Sequence, residues 1–196
     1  MQFKVLIEGY AKEIDGKEYA TSSCVLIINK NKKIIVDPGT NRDMLLESLK
    51  KENLTPNDID YVVLTHNHLD HCLLTGIFIN AKVLDDEFVY SWNSLITEQN
   101  NELGDNIEII STPGHDPFHL SLLLRNTDRG NVVIAGDVFW WWDSDVQLTD
   151  YDNLLNKEDP YVKDKKQLLD SREKILSIAD YIIPGHGKGF NIKNIS

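Results

Sequence analysis

Three imidazoles and one carboxylate stand within six consecutive residues of the sequence, in the segment His66-Asn67-His68-Leu69-Asp70-His71. This segment directly follows Tyr61-Val62-Val63-Leu64-Thr65, an apolar run rich in β-branched residues that is typical of a buried strand. Residues i and i+2 at the end of a strand point the same way, so the first two histidines can reach one cation. The aspartate and the third histidine lie on the turn that follows and can face a second cation. The chain is therefore predicted to fold so that a buried strand ends in a metal-binding loop.

This loop alone supplies too few ligands, because each zinc site needs about three protein groups and an open position for water. Three other apolar runs end beside glycine with one potential ligand each, namely His115, Asp137 and His186. Either of these histidines taken alone could be a structural residue. However, five of the six histidines of the chain fall in the loop or at these strand ends. The sequence therefore predicts two metal sites that share one carboxylate.

The other apolar runs alternate with helical patterns along the chain. Asn41 can cap a helix in which apolar residues recur at helical spacing, and residues 162–179 have the pattern of an amphipathic helix. Residues 13–17 suit a hairpin loop. Strands are predicted at residues 3–7, 24–28, 34–36, 61–65, 81–84, 107–110, 120–124, 132–135 and 181–183. Because no low-complexity linker interrupts this alternation, the pattern predicts one α/β domain over residues 1–196. The order of the strands in the sheets stays open.

The charge balance argues against nucleic acid as a partner. Acidic side chains number 31 and basic ones 20, which gives a net charge of −11 at pH 7, and no run of Lys or Arg exceeds two residues. Phosphate backbones are repelled by such a surface. The two cysteines are too few for a disulfide framework. No apolar stretch approaches the ~20 residues that cross a bilayer, and the first residues lack the pattern of a signal peptide. We expect a cytoplasmic protein without membrane contact.

The histidine-rich loop and the three later ligand residues together resemble the metallo-β-lactamase superfamily over nearly the whole chain. The resemblance implies a four-layer αβ/βα sandwich, in which helices flank two mixed sheets and a dinuclear site lies at one edge. Asp37 matches an aspartate that supports the metal-binding loop from behind the ligands; a turn aspartate that bonds to its own backbone is the alternative. The ligand roles implied by the resemblance are His66, His68 and His115 for the first metal, Asp70, His71 and His186 for the second, and Asp137 as the bridge.

A closer resemblance within the superfamily, to the group called metallo-β-lactamase domain-containing protein 1, rests on short motifs around residues 136–139, 154–160, 171–176 and 184–187. The superfamily resemblance implies a metal-dependent hydrolase that uses a hydroxide bridging two divalent ions, with zinc expected and iron or manganese as alternatives. Asp70 would orient this hydroxide and take its proton. The expected substrate is a small-molecule ester, thioester or lactone. Alternatives are a phosphodiesterase or RNA endonuclease, a di-iron redox module and a metal-binding protein without catalysis.

Two further features near the predicted site have a structural and a functional interpretation. His119 is expected to hydrogen-bond to a ligand residue or a loop carbonyl, or else to be a plain buried histidine. The aromatic run that follows Asp137 cannot point inward at every position. Trp140, Trp141 and Trp142 are therefore expected to form an apolar wall for the substrate, or alternatively a hydrophobic patch at a homodimer interface.

Overall fold

The computed structural model describes residues 1–98 and 102–192. The strands, in chain order, are β1 (Gln2–Ile7), β2 (Tyr10–Ile14), β3 (Lys17–Thr21), β4 (Cys24–Asn29), β5 (Lys32–Val36), β6 (Tyr61–Val63), β7 (Lys82–Leu84), β8 (Phe88–Tyr90), β9 (Ile96–Glu98), β10 (Ile107–Ser111), β11 (Leu120–Thr127), β12 (Gly130–Trp140), β13 (Tyr181–His186) and β14 (Phe190–Asn191). The α-helices are α1 (Arg42–Lys51), α2 (Leu69–Cys72), α3 (Tyr151–Leu155) and α4 (Lys165–Ile178), and two short 3₁₀ helices span Pro56–Asp58 and Leu73–Ile77. Over these described ranges, none of the helices has the length and apolar character needed to cross a membrane.

Most strands belong to one of two mixed sheets. The first has seven strands in the order β1-β4-β5-β6-β7-β8-β9, and its central strands β5, β6 and β7 are parallel. The second has five strands in the order β10-β11-β12-β13-β14, and β12 and β13 form its parallel pair. Strands β2 and β3 form a separate hairpin. The prediction of an α/β protein with two mixed sheets is confirmed.

The core falls into three apolar layers because successive residues of a strand point to opposite faces. Ile27 of β4 and Leu122 of β11 lie in the layer between the two sheets. Leu26 points the other way, into the layer that contains the buried side of α1. On the outer face of the second sheet, Leu123 belongs to the same layer as Ile175 of α4. The resulting order of helix, sheet, sheet and helix is the predicted four-layer αβ/βα sandwich.

The hairpin corrects the prediction for residues 13–17. Only Asp15 and Gly16 form its turn, and the neighbouring residues extend β2 and β3. Both turn residues have positive φ, at 52° and 70°, as a two-residue hairpin turn of type I′ requires. The Asp15-Gly16 pair is therefore the local sequence signal for the position of this turn. The charged, exposed strands on either side lack the apolar alternation that marks a half-buried strand.

Backbone hydrogen bonds fix the base of this hairpin near the ends of other strands. Gly187 N donates to Gly9 O at 2.9 Å, and Ser23 N donates to Gly185 O at 2.7 Å. On the same side, Asp143 N donates to Ala11 O at 2.7 Å. The hairpin is thus held beside the C-terminal ends of β12 and β13, where the sequence predicts ligands.

Arg172 of α4 is a buried charge that connects the helix to the segment before it. Its guanidinium donates hydrogen bonds to the carbonyl oxygens of Val138, Leu155 and Lys157, and the residue is 4% exposed. Burial lowers the pKa of Arg172 to about 10, so the side chain still carries its charge at neutral pH. Three carbonyl groups, one in β12 and two at and just after the end of α3, depend on this one side chain.

Replacing Arg172 with Met is expected to reduce the free energy of unfolding by about 2–4 kcal/mol, because it leaves buried carbonyl oxygens without donors. Urea unfolding followed by circular dichroism measures this change. The matched control is Arg42→Met, since the Arg42 side chain is 63% exposed; it should stay within about 0.5 kcal/mol of the unmodified protein. Equal losses for the two variants would contradict the structural role of Arg172.

Candidate metal centre

The histidine-rich loop and the predicted strand ends meet at one edge of the sandwich. The loop follows β6, and His186 is the last residue of β13. Asp137 lies within β12, which continues past the predicted residues 132–135 to Trp140 with irregular register against β13. Leu120 N donates to Thr65 O at 2.8 Å, a bond that joins the two sheets directly beneath the loop. The fold therefore brings together segments that are remote in sequence.

The seven predicted ligand residues form two groups. Within each group, one nitrogen or oxygen atom from every side chain lies within 4.8 Å of those of the other members. The first group contains His66, His68, His115 and Asp137, and the second contains Asp70, His71 and His186. These are the same sets that the resemblance implies for two metals, with the bridging residue counted in the first.

Asp137 lies between the two groups, with one carboxylate oxygen on each side. Its Oδ2 is 3.3 Å from His115 Nε2 and 3.8 Å from His66 Nε2. Its Oδ1 is 3.2 Å from His71 Nε2 and 3.7 Å from His186 Nε2. A residue in this position can contribute one ligand atom to each of two adjacent cations.

The donor set fits divalent metals. Nε2 of His66 is a buried atom without a hydrogen-bond partner, and the buried atoms Nε2 of His71 and Oδ1 of Asp137 lie 3.2 Å apart but are not aligned for a hydrogen bond. Buried polar atoms normally have partners, because an unsatisfied one costs about 1–3 kcal/mol. All three atoms belong to the imidazoles and the carboxylate of the two groups, and such ligands suit zinc, iron and manganese. Cations bound between the groups would supply the missing partners.

Asp37 holds His71 from the side opposite to the ligand group. It accepts hydrogen bonds from Thr65 N at 2.8 Å and Thr65 Oγ1 at 2.7 Å, and its Oδ2 lies 2.8 Å from His71 Nδ1. Nδ1 of His71 therefore donates its proton to Asp37, and Nε2 is the atom that faces the ligand group and could bind a metal in place of a second proton. Burial opposes a charge on His71, but the carboxylates of Asp137 and Asp37 outweigh it and raise its pKa well above the usual value.

Asp159 positions His115 in the same way, although it was not among the residues predicted from the sequence. Its Oδ2 lies 2.7 Å from His115 Nδ1, and its Oδ1 accepts a hydrogen bond from Tyr161 N at 3.0 Å. Burial alone would raise the pKa of Asp159, but the hydrogen bond with His115 and the charge of His115 keep it below the usual value. The sequence contains no ligand-like motif here, and only the pair Asp159-Pro160 within a family-like segment could have drawn attention to it.

Asp70 and His186 face each other in the second group. Their Oδ2 and Nε2 atoms are 3.1 Å apart, while His186 Nδ1 lies 3.1 Å from the carbonyl oxygen of Tyr10. Burial would raise the pKa of Asp70, yet the hydrogen bond with His186 and the nearby His71 keep it below its usual value. Asp70 is thus a carboxylate at neutral pH, half-buried and open to the adjoining cavity.

His119 supports the backbone of the central aspartate. Its Nε2 accepts a hydrogen bond from Asp137 N at 3.1 Å, and its Nδ1 lies 2.9 Å from Thr112 Oγ1. Burial lowers the pKa of His119 to about 3, so the imidazole is neutral and donates to the threonine through Nδ1. Of the two sequence interpretations, the structure agrees with a hydrogen bond to a ligand residue, made here to its backbone amide.

A cavity of about 240 Å³ opens next to the two groups. Residues of both groups form one side of it, and Ala11, Glu18 and Ala20 of the hairpin form another. Aromatic side chains contribute the rest, and they include Tyr161, which the sequence analysis did not identify. The cavity is therefore in direct contact with the atoms that could hold the metals.

The aromatic run after Asp137 divides between two sides of the strand. Trp140 and Trp142 line the cavity, with ring centroids 5.5 Å apart. Trp141 is 4% exposed and packs on Phe190, in the apolar layer beneath α4. The expectation that Trp141 lines the substrate site is therefore wrong, because alternate residues of an extended segment point to opposite faces.

Close packing beside Asp137 makes Gly185 sensitive to substitution. A Cβ atom at Gly185 would overlap Asp137 Oδ1. Gly185→Ala is therefore expected to displace this carboxylate and weaken metal binding about tenfold, an effect measured by competition with a fluorescent chelator. Gly76→Ala is the matched control, since a Cβ there meets nothing within 4 Å. Unchanged metal affinity in Gly185→Ala would contradict the position given to Asp137.

Known proteins resemble this chain in sequence. The family model described as the metallo-beta-lactamase superfamily matches residues 20–86. Metallo-beta-lactamase domain-containing protein 1 of Xenopus laevis is 32% identical over 197 residues, which cover 96% of this chain and 80% of that protein. The rat protein of the same name is 36% identical over 169 residues and covers 81% of this chain. The chain spans only 63% of the length of the rat protein.

Solved structures share the fold at lower sequence identity. A metallo-beta-lactamase from Thermotoga maritima superposes with a TM-score of 0.73 and 22% identity, over 97% of this chain and 98% of its own. AidC, a dizinc quorum-quenching lactonase crystallised with the product N-hexanoyl-L-homoserine, gives a TM-score of 0.66 and 18% identity, over 87% of this chain and 73% of its own. Similarity at this level establishes the architecture.

Proposed function

This chain belongs to the metallo-beta-lactamase superfamily and is a metal-dependent hydrolase, and we propose that it cleaves a small-molecule ester, thioester or lactone at a dinuclear metal centre. The position of Asp137 carries this proposal. One oxygen of its carboxylate faces each ligand group, so the two groups are arranged to act on one reacting centre. Ser, Thr, Cys and Lys do not occur among the described residues that line the cavity, which agrees with hydrolysis by water.

Two divalent cations held by these groups would lower the pKa of a shared water to about 7 and would polarise the bond to be cleaved. The side chains around them have complementary roles. Asp70 is ionised and faces the cavity, so it can orient the attacking water and accept its proton. Asp37 and Asp159 keep His71 and His115 in the tautomer that leaves Nε2 unprotonated.

The size and lining of the cavity support a small substrate. A volume of about 240 Å³ is below the range of drug-sized ligand sites. The walls combine small and aromatic side chains, as expected for an acyl chain or a lactone ring. A fold shared with a dizinc lactonase agrees with this substrate class. Zinc is the metal we expect, since imidazole and carboxylate are its usual ligands.

The cavity does not favour the phosphodiesterase alternative. Lys and Arg, which typically contact phosphate groups, do not occur among the described residues that line it. The net charge of −11 adds to this disadvantage. A nuclease would need a basic surface beside the metals.

A substrate panel tests the proposal on protein whose metal content is measured by elemental analysis. Nitrophenyl esters, thioesters, lactones and bis-nitrophenyl phosphate are compared, with His68→Ala as the inactive variant. Asn67→Ala is the matched control, because this exposed neighbour belongs to neither ligand group. We expect turnover of at least one ester, thioester or lactone, lost in His68→Ala and kept in Asn67→Ala. Equal turnover by the unmodified protein and His68→Ala would refute metal-dependent hydrolysis.

A further inference from the structure

Three aromatic side chains form one continuous wall of the cavity. The ring centroid of Trp140 is 5.5 Å from that of Trp142 and 5.7 Å from that of Tyr161. A hydrogen-bonded turn fixes Trp142, since Asp145 N donates to Trp142 O at 2.9 Å. Small side chains, Ala11 and Ala20, lie on the hairpin side. Grouped aromatic rings of this kind attract organic cations through their negative π faces.

The charged residue on this side of the cavity is negative, as the binding of an organic cation requires. Outside the two ligand groups, Glu18 is the one charged residue among the described residues that line the cavity. Lys157 approaches the Trp140 ring to 5.8 Å, but it lines a neighbouring cavity and is paired with Asp145 at 3.6 Å.

The hairpin places Glu18 beside a second carboxylate. Glu18 pairs directly with Glu13 across the two strands, so two like charges stand on one face. Such cross-strand pairs destabilise a hairpin. The neighbouring pair, Ala11 and Ala20, lies on the same face and lines the cavity. A positive group at the mouth of the cavity would be attracted by Glu18, the member of this pair that lines the cavity.

We propose that the substrate carries an ammonium group remote from the bond that is cleaved, and that Trp140, Trp142, Tyr161 and Glu18 bind this group. This inference rests on the proposed function, because it names the class of ester, thioester or lactone that the same site takes. Neutral substrates of equal shape bind more weakly. An anionic group at this end of the cavity, away from the metals, is disfavoured, because Glu18 is the charged residue there and no basic side chain of the described lining compensates its charge.

A binding measurement tests the inference without catalysis. The metal-loaded protein is titrated by calorimetry with choline and with 3,3-dimethylbutan-1-ol, which has the same shape and no charge. We expect choline to bind about tenfold more tightly. In Glu18→Gln this preference should fall to about threefold, while Glu13→Gln, which removes an equal charge outside the cavity, should change it by less than about twofold. Equal affinity for the two ligands would overturn the inference.

Hydrolysis of three matched thioacetates separates this inference from the proposed function. Acetylthiocholine is cationic, S-(3,3-dimethylbutyl) thioacetate is its neutral isostere, and S-acetyl-3-mercaptopropionate is anionic. We expect kcat/KM to decrease in that order, by about tenfold from the cation to the neutral isostere and further from there to the anion. Turnover of all three at equal kcat/KM would overturn the inference and leave the proposed hydrolysis standing. Tight choline binding without turnover of any ester, thioester or lactone would support cation binding by the aromatic wall and would overturn the proposed function, and with it the assignment of the cation to a hydrolysed substrate.

Discussion

Asp137→Asn is expected to reduce kcat/KM by at least about 10³-fold and to leave at most about one equivalent of tightly bound metal per chain. The two carboxylate oxygens of Asp137 face different ligand groups. An asparagine keeps the shape but has only one oxygen. Whichever way its amide is oriented, the NH₂ group replaces the oxygen that faces one of the two ligand groups. On that side, N–H donors then point at the position of the metal. Elemental analysis and steady-state kinetics measure the two effects.

The matched control for this substitution is Asp128→Asn, which makes the same chemical change at an exposed position. It should keep the metal content and the activity of the unmodified protein. Thermal unfolding of both variants distinguishes loss of a ligand from loss of the fold. A folded Asp137→Asn with full metal content and unchanged kcat/KM would rule out a bridging role for this residue.

The layers of the fold could be predicted because they follow from local patterns. Alternation in β4 sends Ile27 between the sheets and Leu26 towards α1. The beginning of α1 was also predictable, since the Asn41 side chain caps it by accepting a hydrogen bond from Met44 N. The hairpin was different, because its strands are mostly polar and exposed, so only the Asp-Gly turn marks them.

The candidate ligands could be found because each stands in a short motif that ends a strand. Asp159 could not be found in this way. It comes from the segment before α4, and it meets His115 through a contact between residues 44 positions apart. Glu18 and Tyr161 likewise reach the cavity only through the tertiary arrangement. Trp141 shows the opposite error, since it was grouped with its neighbours although strand alternation already separates it from them.

The aspartates behind the ligands provide the second large prediction. In Asp37→Asn, the oxygen of the amide can still accept from Thr65 N, which places the NH₂ group against His71 Nδ1. Nδ1 must then accept a hydrogen bond, so the proton moves to Nε2 and blocks the metal. In Asp159→Asn, the amide oxygen accepts the hydrogen bond from Tyr161 N, so the NH₂ group faces His115 Nδ1. The proton of His115 must then move to Nε2 in the same way. Each variant is expected to lower metal affinity about 100-fold at one site only.

Because the two histidines belong to different ligand groups, each variant should bind one metal tightly and one weakly, whereas the double variant should bind neither tightly. Chelator competition resolves the two affinities, and Asp37→Ala and Asp159→Ala separate the effect of the wrong tautomer from that of a lost hydrogen bond. The matched control, Asp152→Asn, changes an exposed carboxylate in α3 and should keep both metals. Loss of both metals from either single variant would mean that the two groups act as one site, and the independent positioning of His71 and His115 would then be wrong.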